Sequence, residues 1–102
     1  MNEKLRELNV EFLVRAVLQL QTMEECYNFF EDLCTVPELK ALAQRLQVAK
    51  MLSEGKVYSD IVSETGASTA TISRVNRSLH YGCDGYVVIF ERMRAEDEAK
   101  GE

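Results

Sequence analysis

The amino-acid sequence predicts an all-α fold of about six helices with a central helix-turn-helix. Apolar residues recur at intervals of three and four along most of the chain, which is the period of a helix. Serine, threonine and glycine stand where such segments begin and end, and the 102 residues include one proline and only five glycines. A chain of this length corresponds to one domain, so we expect a single domain over residues 1–102.

The first predicted helix runs from Glu3 to about Gln21. Its apolar residues follow the helical spacing and therefore share one face: Leu5, Leu8, Phe12, Leu13, Ala16, Val17 and Leu20. Val10, Val14 and Leu18 widen this face beyond what one neighbouring helix covers. Because a short chain buries only a modest core, a second copy of the chain is a natural cover, and we expect a homodimer.

Capping boxes precede the next two predicted helices. Residues 22–25 (Thr-Met-Glu-Glu) and 35–38 (Thr-Val-Pro-Glu) each place a threonine three positions before a glutamate, so that each side chain bonds the backbone of the other. The proline falls in the first turn, where its missing N–H costs nothing. The third helix is expected to end at Gly55, and residues 1–55 are the predicted helical dimerisation core.

Residues 58–80 are the predicted helix-turn-helix. Ser59 and Ser68 are the expected N-caps of its two helices, and Gly66 supplies the positive φ of the turn. The residues that must pack to hold the crossing angle are Ile61, Val62, Ala67, Ile72, Val75 and Leu79. The opposite face of the second helix carries Thr69, Ala70, Ser73, Arg74 and Arg77. Small and hydroxylated side chains at its start allow the backbone to approach base edges closely.

A last helix is predicted over residues 84–99, after the chain turns at Gly82. Its apolar residues are expected to be buried: Tyr86, Val87, Ile89, Phe90 and Met93. The second half of this helix is mostly charged and is expected to face solvent.

The net charge of the chain is −5, which argues against a wholly electrostatic nucleic-acid binder. The charge is unevenly distributed. Residues 1–34 carry seven acids and three bases and residues 82–102 carry six and three, whereas residues 35–81 carry six bases and four acids. No acid occurs between Ala67 and Gly82. The positive charge therefore lies on the second helix of the motif and around it, which predicts contact with DNA phosphates there.

The run from Gly66 to Arg74, followed by Asn76 and Ser78-Leu79, resembles the Trp repressor family, in particular its Trp-repressor-related YerC/YecD-type branch. The similarity extends upstream over residues 35–55. It implies a six-helix chain that interlocks with a second copy as an intertwined homodimer and binds double-stranded operator DNA. In the family, the positions of Thr69, Ala70, Thr71 and Ser73 face the major groove. With the neighbouring hydroxyl and basic residues, the predicted DNA-binding set is Ser68, Thr69, Ala70, Thr71, Ser73, Arg74, Arg77 and His80.

The resemblance also implies a candidate effector pocket. The family's tryptophan co-repressor lies between two arginines, whose positions here are Arg45 and Arg74. Thr35 and Ser78 match the pocket as well. Where the Trp repressor has glycine immediately after the second arginine, this chain has Val75, whose side chain fills part of the slot for the indole. We therefore expect DNA binding without tryptophan or with a different small effector. A second interpretation of Arg45 is a surface residue paired with an acid.

The sequence favours a sequence-specific transcriptional regulator, a repressor that binds a palindromic operator as a dimer. The alternative is a protein–protein interaction module that uses the helix-turn-helix surface, since the chain is acidic. An enzyme is not expected, because the residue sets of nucleophilic and phosphate-binding sites are missing and His80 is the one histidine. The three cysteines lack metal-ligand spacing, so we expect no metal and no cofactor. Neither a signal peptide nor a membrane span is recognisable, and we expect a cytoplasmic location.

Overall fold

The computed structural model describes residues 1–6 and 8–101, and these residues form seven α-helices and no strand. The helices are α1 (Glu3–Arg6), α2 (Val10–Val17), α3 (Met23–Leu33), α4 (Val36–Ser53), α5 (Tyr58–Thr65), α6 (Thr69–Tyr81) and α7 (Gly85–Lys100). The predicted all-α fold is confirmed. The chain divides into two compact units, Met1–Leu39 and Lys40–Glu102. Among the helices so described, none is long and apolar enough to cross a membrane.

The prediction of one continuous helix from Glu3 to Gln21 is wrong. Asn9 has a left-handed backbone with φ 61°, and it separates α1 from α2. Asparagine tolerates this conformation better than most residues and is a weak helix former. The helix is therefore interrupted at Asn9, although the apolar spacing continues beyond it. Because of this interruption, the described residues form seven helices and not the expected six. Glu7, which the predicted helix included, lies outside the described residues.

The predicted capping box at residues 35–38 is complete, and the box at residues 22–25 forms one of its two predicted bonds. The Glu25 N–H donates to Thr22 Oγ1 at 3.1 Å, and the Glu25 carboxylate accepts from the N–H of Gln21 at 3.0 Å, one residue before the cap. At the start of α4, the Glu38 N–H donates to Thr35 Oγ1 at 3.2 Å while the Thr35 N–H donates to the Glu38 carboxylate at 2.9 Å. These bonds satisfy backbone donors that the first turn of a helix leaves free.

The hydrophobic core lies in the second unit. Its buried residues come from α4, α5, the turn and α6, namely Val48, Ala49, Met51, Ile61, Ala67, Ile72, Val75 and Leu79. The residues predicted to hold the helix-turn-helix together are thus buried, except Val62, which is 38% exposed. Leu52, Tyr86 and Phe90 pack against this cluster from α4 and α7. The Lys50 ammonium lies 5.3 Å from the centre of the Phe90 ring and adds a cation–π contact between the same two helices.

The start of α5 differs from the prediction. The backbone N–H groups of Asp60 and Ile61 donate to the Val57 carbonyl at 3.1 and 3.2 Å, so the helix begins at Tyr58 and Val57 is its N-cap. Ser59 is therefore the second residue of α5, and its prediction as the N-cap is wrong because the cap position lies two residues earlier. Gly66 ends α5 with φ 72°, as expected for the turn.

None of the five residues of α7 that were predicted to be buried is fully buried, and two of them are half-buried. Tyr86 and Phe90 pack against the core cluster. Val87, Ile89 and Met93 are exposed, because the apolar residues of α7 surround the helix and the second unit covers one side of it. A helix that is apolar on several sides needs a second neighbour.

Candidate nucleic-acid interface

The start of α6 is held by hydrogen bonds within the turn. Ser68 is the N-cap, and its hydroxyl accepts from the N–H of Thr71 at 3.1 Å. The same hydroxyl lies 3.1 Å from Thr71 Oγ1. Buried Ile72 and Val75 fix α6 to the core from the inner side. The predicted N-cap is confirmed, and the first turn of α6 has a defined orientation.

The predicted DNA-binding residues lie on α6 or directly before it. Seven of the eight are exposed and Thr71 is half-buried. The exposed residues within the helix recur at intervals of three and four, which places them on one side: Thr69, Ala70, Ser73, Arg74, Arg77 and His80. The structure therefore presents these residues together, opposite the face that packs against the core.

The charge of this face is not neutralised by the second unit. Among the described residues the one ion pair joins Lys100 and Glu96, 3.1 Å apart on α7. Arg74 and Arg77 are exposed and lie in a segment without acids. Exposed guanidinium groups next to small hydroxylated side chains match the chemistry that reads base edges and binds phosphates.

A cavity of about 210 Å³ lies beside α6 and brings together four of the five residues predicted for an effector pocket. Its lining residues are Arg45, Thr71, Arg74, Val75, Ser78 and Tyr86. The fifth residue, Thr35, belongs to the first unit, where its hydroxyl caps α4.

Two residues determine the character of this cavity. Val75 is 3% exposed and belongs to the core cluster, so this residue of the cavity wall also has a packing role. Tyr86 lines the cavity although the sequence indicated only a core residue. Its signal was the four-residue spacing to Phe90, and the two rings stack with centroids 6.0 Å apart.

No group of three or more His, Cys, Asp or Glu side chains within residues 1–6 and 8–101 is arranged to hold a metal ion. Cys26, Cys34 and Cys83 are free thiols. Arg45 forms no ion pair with an acid of the described residues.

Comparison with known proteins gives consistent matches over most of the chain. A family model described as Trp repressor protein matches residues 8–94. The uncharacterized protein YerC of Bacillus subtilis (strain 168) is 53% identical over 92 residues, which are 90% of this chain and 88% of YerC. The crystal structure of a candidate Trp repressor from Staphylococcus aureus matches with a TM-score of 0.86 and 56% identity, over 90% of this chain and 92% of that chain. A TrpR-like protein from Eubacterium eligens ATCC 27750 matches with a TM-score of 0.86 and 58% identity, over 90% and 95%.

Proposed function

Because the chain belongs to the Trp repressor family and to its YerC-type branch, we propose that it is a sequence-specific transcriptional regulator that binds a palindromic operator as a homodimer. The observation that carries this proposal is the exposed, acid-free face of α6, with Arg74 and Arg77 beside hydroxylated residues. Regulators of this family bind DNA through a helix-turn-helix and are not enzymes. We further propose that the protein represses transcription and acts in the cytoplasm. We expect it to need neither a metal nor a cofactor.

The proposed contacts follow from the position of each side chain on α6. The N-terminal end of the second helix of such a motif enters the major groove, and its free N–H groups approach phosphates. Thr69, Ala70 and Ser73 are small enough to let this end approach base edges. Arg74 and Arg77 lie further along the same face and offer donors to phosphates or to guanine.

The proposed homodimer accounts for the apolar surface that the chain leaves exposed. Phe12 and Leu18 in the first unit are each 74% exposed, and Val87 and Ile89 on α7 remain exposed although α7 packs on the core. Monomeric proteins rarely expose so many large apolar side chains. In this proposal residues 1–55 are the dimerisation core, residues 58–80 read DNA and residues 84–99 are the C-terminal helix, whose exposed Val87 and Ile89 the second copy covers. Two-fold symmetry then predicts half-sites about 34 Å apart.

The cavity beside α6 supports DNA binding without tryptophan or with a different small effector. Buried Val75 occupies the place where the Trp repressor has glycine, and its side chain reduces the room for an indole between Arg45 and Arg74. Calorimetric titration with tryptophan tests this part of the proposal. Binding in the micromolar range would contradict it.

The decisive experiment is affinity selection of genomic DNA fragments by the purified protein, with and without amino acids present. It identifies the operator, its palindromic symmetry and any co-ligand together. Mobility shifts on the selected fragment then compare the wild type with Arg74→Ala, Arg77→Ala and the control Arg92→Ala, an exposed arginine on α7. We expect each α6 variant to bind less tightly and its salt dependence to fall by about one unit per lost phosphate contact.

The overall charge of −5 favours one second candidate, a protein–protein interaction module that uses the same surface. A folded dimer that shifts no fragment at low salt would overturn the DNA-binding proposal and support this one. A shift that Arg92→Ala retains and Arg74→Ala loses would exclude it.

A further inference from the structure

Gln44 joins α4 to the turn of the helix-turn-helix. Its side-chain Nε2 donates to the backbone carbonyl of Thr65 at 3.1 Å, and both residues are half-buried. Within residues 1–6 and 8–101, every other side-chain hydrogen bond joins residues at most four positions apart, whereas this one spans 21. It is therefore the one tertiary side-chain hydrogen bond of the described structure.

The accepting carbonyl lies at a sensitive point of the backbone. Thr65 is the last residue of α5, and the final carbonyls of a helix have no partner within the helix. The Thr65 hydroxyl donates to the Ile61 carbonyl at 2.7 Å and accepts from the N–H of Ala67 at 3.1 Å. The side chain of Thr65 thus bonds the backbone on both sides of Gly66, and the Gln44 side chain holds Thr65 against α4.

The position of Gln44 on α4 explains how this bond acts on the whole motif. Gln44 lies one helical turn before Val48 and two turns before Met51 and Leu52, which belong to the core cluster or pack against it. It therefore continues the face of α4 that supports α5 and α6, and it is the polar member of that face. The bond connects this support to the residues that immediately precede α6.

We propose that Gln44 is a positioning residue for the DNA-reading end of α6. This inference rests on the proposed function, since it concerns how that function discriminates between sequences. Base contacts require the first turn of α6 at a fixed place, whereas phosphate contacts by long, flexible arginines tolerate a small displacement. Loss of the Gln44 bond loosens the turn and lowers affinity for the operator more than affinity for unrelated DNA.

The test compares Gln44→Met with wild type and with Gln47→Met. Methionine is similar in length to glutamine but cannot donate a hydrogen bond. Gln47 lies on the same helix, is exposed and forms no side-chain hydrogen bond within the described residues, so its replacement is the matched control. Dissociation constants are measured on the operator selected by the wild type and on a scrambled fragment, at a temperature where circular dichroism shows every variant folded.

We expect Gln44→Met to weaken operator binding about five-fold to ten-fold, as for the loss of one neutral hydrogen bond. Affinity for the scrambled fragment and the salt dependence stay at wild-type values, because the phosphate contacts remain. Thr65→Val, which removes both hydroxyl bonds in the turn, shows the same selective loss. Thr65→Ser keeps the hydroxyl and binds the operator as the wild type does.

Amide hydrogen exchange without DNA measures the positioning effect directly. We expect the amide of Ala67 to exchange faster in Gln44→Met than in wild type or Gln47→Met. Equal weakening on operator and scrambled DNA, or an unchanged operator affinity, overturns the positioning role while DNA binding by the wild type stands. A wild type that binds no fragment would instead overturn the proposed function, and this inference with it.

Discussion

The two units of the chain are both helical and both rich in apolar residues, but they differ in how their helices are stabilised. Every fully buried side chain among the described residues belongs to Lys40–Glu102. In Met1–Leu39 the same description includes no buried residue, although Phe12 and Leu18 are large and apolar. The side-chain hydrogen bonds described for this first unit are local, namely the capping bonds and one from the Lys4 N–H to Asn2 Oδ1.

Within the described residues only the second unit buries a core, so in the proposed homodimer the first unit is the part that a second copy covers. Helices as short as α2 and α3, of 8 and 11 residues, are marginal in water unless tertiary packing supports them. The second unit has its own core and presents the exposed face of α6. The first unit presents apolar surface that the proposed second copy covers. In the proposed dimer, substitutions in the apolar surface of the first unit are therefore expected to act through dimerisation, and substitutions in the packed backbone of the second unit are expected to act on the intrinsic fold.

The largest effect is expected from Phe12→Asp, which removes apolar surface from the first unit and adds a charge. Burial of a phenylalanine contributes about 2 kcal/mol per copy. Loss of this contribution in both copies is expected to raise the dissociation constant of the dimer roughly 1,000-fold. Sedimentation over a series of protein concentrations measures this change. Asn28→Asp adds the same charge to an exposed polar position of α3 and is expected to leave the dimer intact. A dimer that survives Phe12→Asp would exclude Phe12 from the interface.

Gly82→Ala tests the second unit, where we expect the next largest effect. A Cβ at Gly82 would collide with the backbone carbonyl oxygen of Ser78, which already accepts the N–H of Gly82 at 3.0 Å. The last turn of α6 must shift, and we expect the free energy of unfolding in urea to fall by about 3 kcal/mol. Gly85→Ala is the control, because a Cβ there meets nothing within 4 Å. Equal stability of the two variants would contradict the predicted collision.

The sequence predicted the second unit better than the first for a physical reason. Helical spacing identifies residues that pack within one chain, and Ile72, Val75 and Leu79 are buried where this spacing placed them. The spacing also continues across Asn9, where the helix is interrupted. Periodicity therefore failed to predict the interruption, because it does not detect a single left-handed residue. On α7 the helical spacing predicted that Val87 is buried, but spacing does not indicate whether the burying residues belong to the same chain or to a second one.

The sequence predicted which residues of α6 are exposed at the candidate site. It predicted only some of the residues that line the cavity or hold α6 in place. The face of α6 follows from helical geometry alone, and four residues of the predicted effector pocket line one cavity. The place of Tyr86 in the cavity wall and the hydrogen bond of Gln44 were missed, because both depend on which distant segments meet. Gln44 donates to a backbone carbonyl 21 residues away, and a backbone acceptor leaves no signal in the sequence.

Gly66→Ala separates backbone conformation from space in the same unit. Gly66 has φ 72°, and a Cβ there meets nothing within 4 Å, so only the left-handed conformation opposes a side chain. We expect a loss of about 1 kcal/mol in the free energy of unfolding, clearly less than for Gly82→Ala. Gly66→Asn is expected to lose less than Gly66→Ala, since asparagine tolerates this conformation. A loss as large as that of Gly82→Ala would point to steric crowding in the turn instead.

The smallest effect is expected from Glu38→Gln, which tests the local capping that stabilises the start of α4. The N–H of Thr35, and secondarily its hydroxyl, hold the pKa of the Glu38 carboxyl below its usual value. A pKa lowered by folding stabilises the protein above the usual glutamate pKa, and this contribution disappears as the pH falls through the lowered value. Glutamine can still accept the Thr35 hydrogen bond but carries no charge.

The difference in free energy of unfolding between wild type and Glu38→Gln is therefore expected to be largest near neutral pH and to vanish in acid. Urea titrations over this pH range measure it. Glu31→Gln is the matched control, because Glu31 is exposed on α3 and its side chain forms no hydrogen bond within the described residues. A pH-independent difference for Glu38→Gln would assign the contribution to hydrogen-bond geometry alone. A difference that disappears in acid would show that the charge of the capping carboxylate stabilises the start of α4, in a unit whose described residues lack a core of their own.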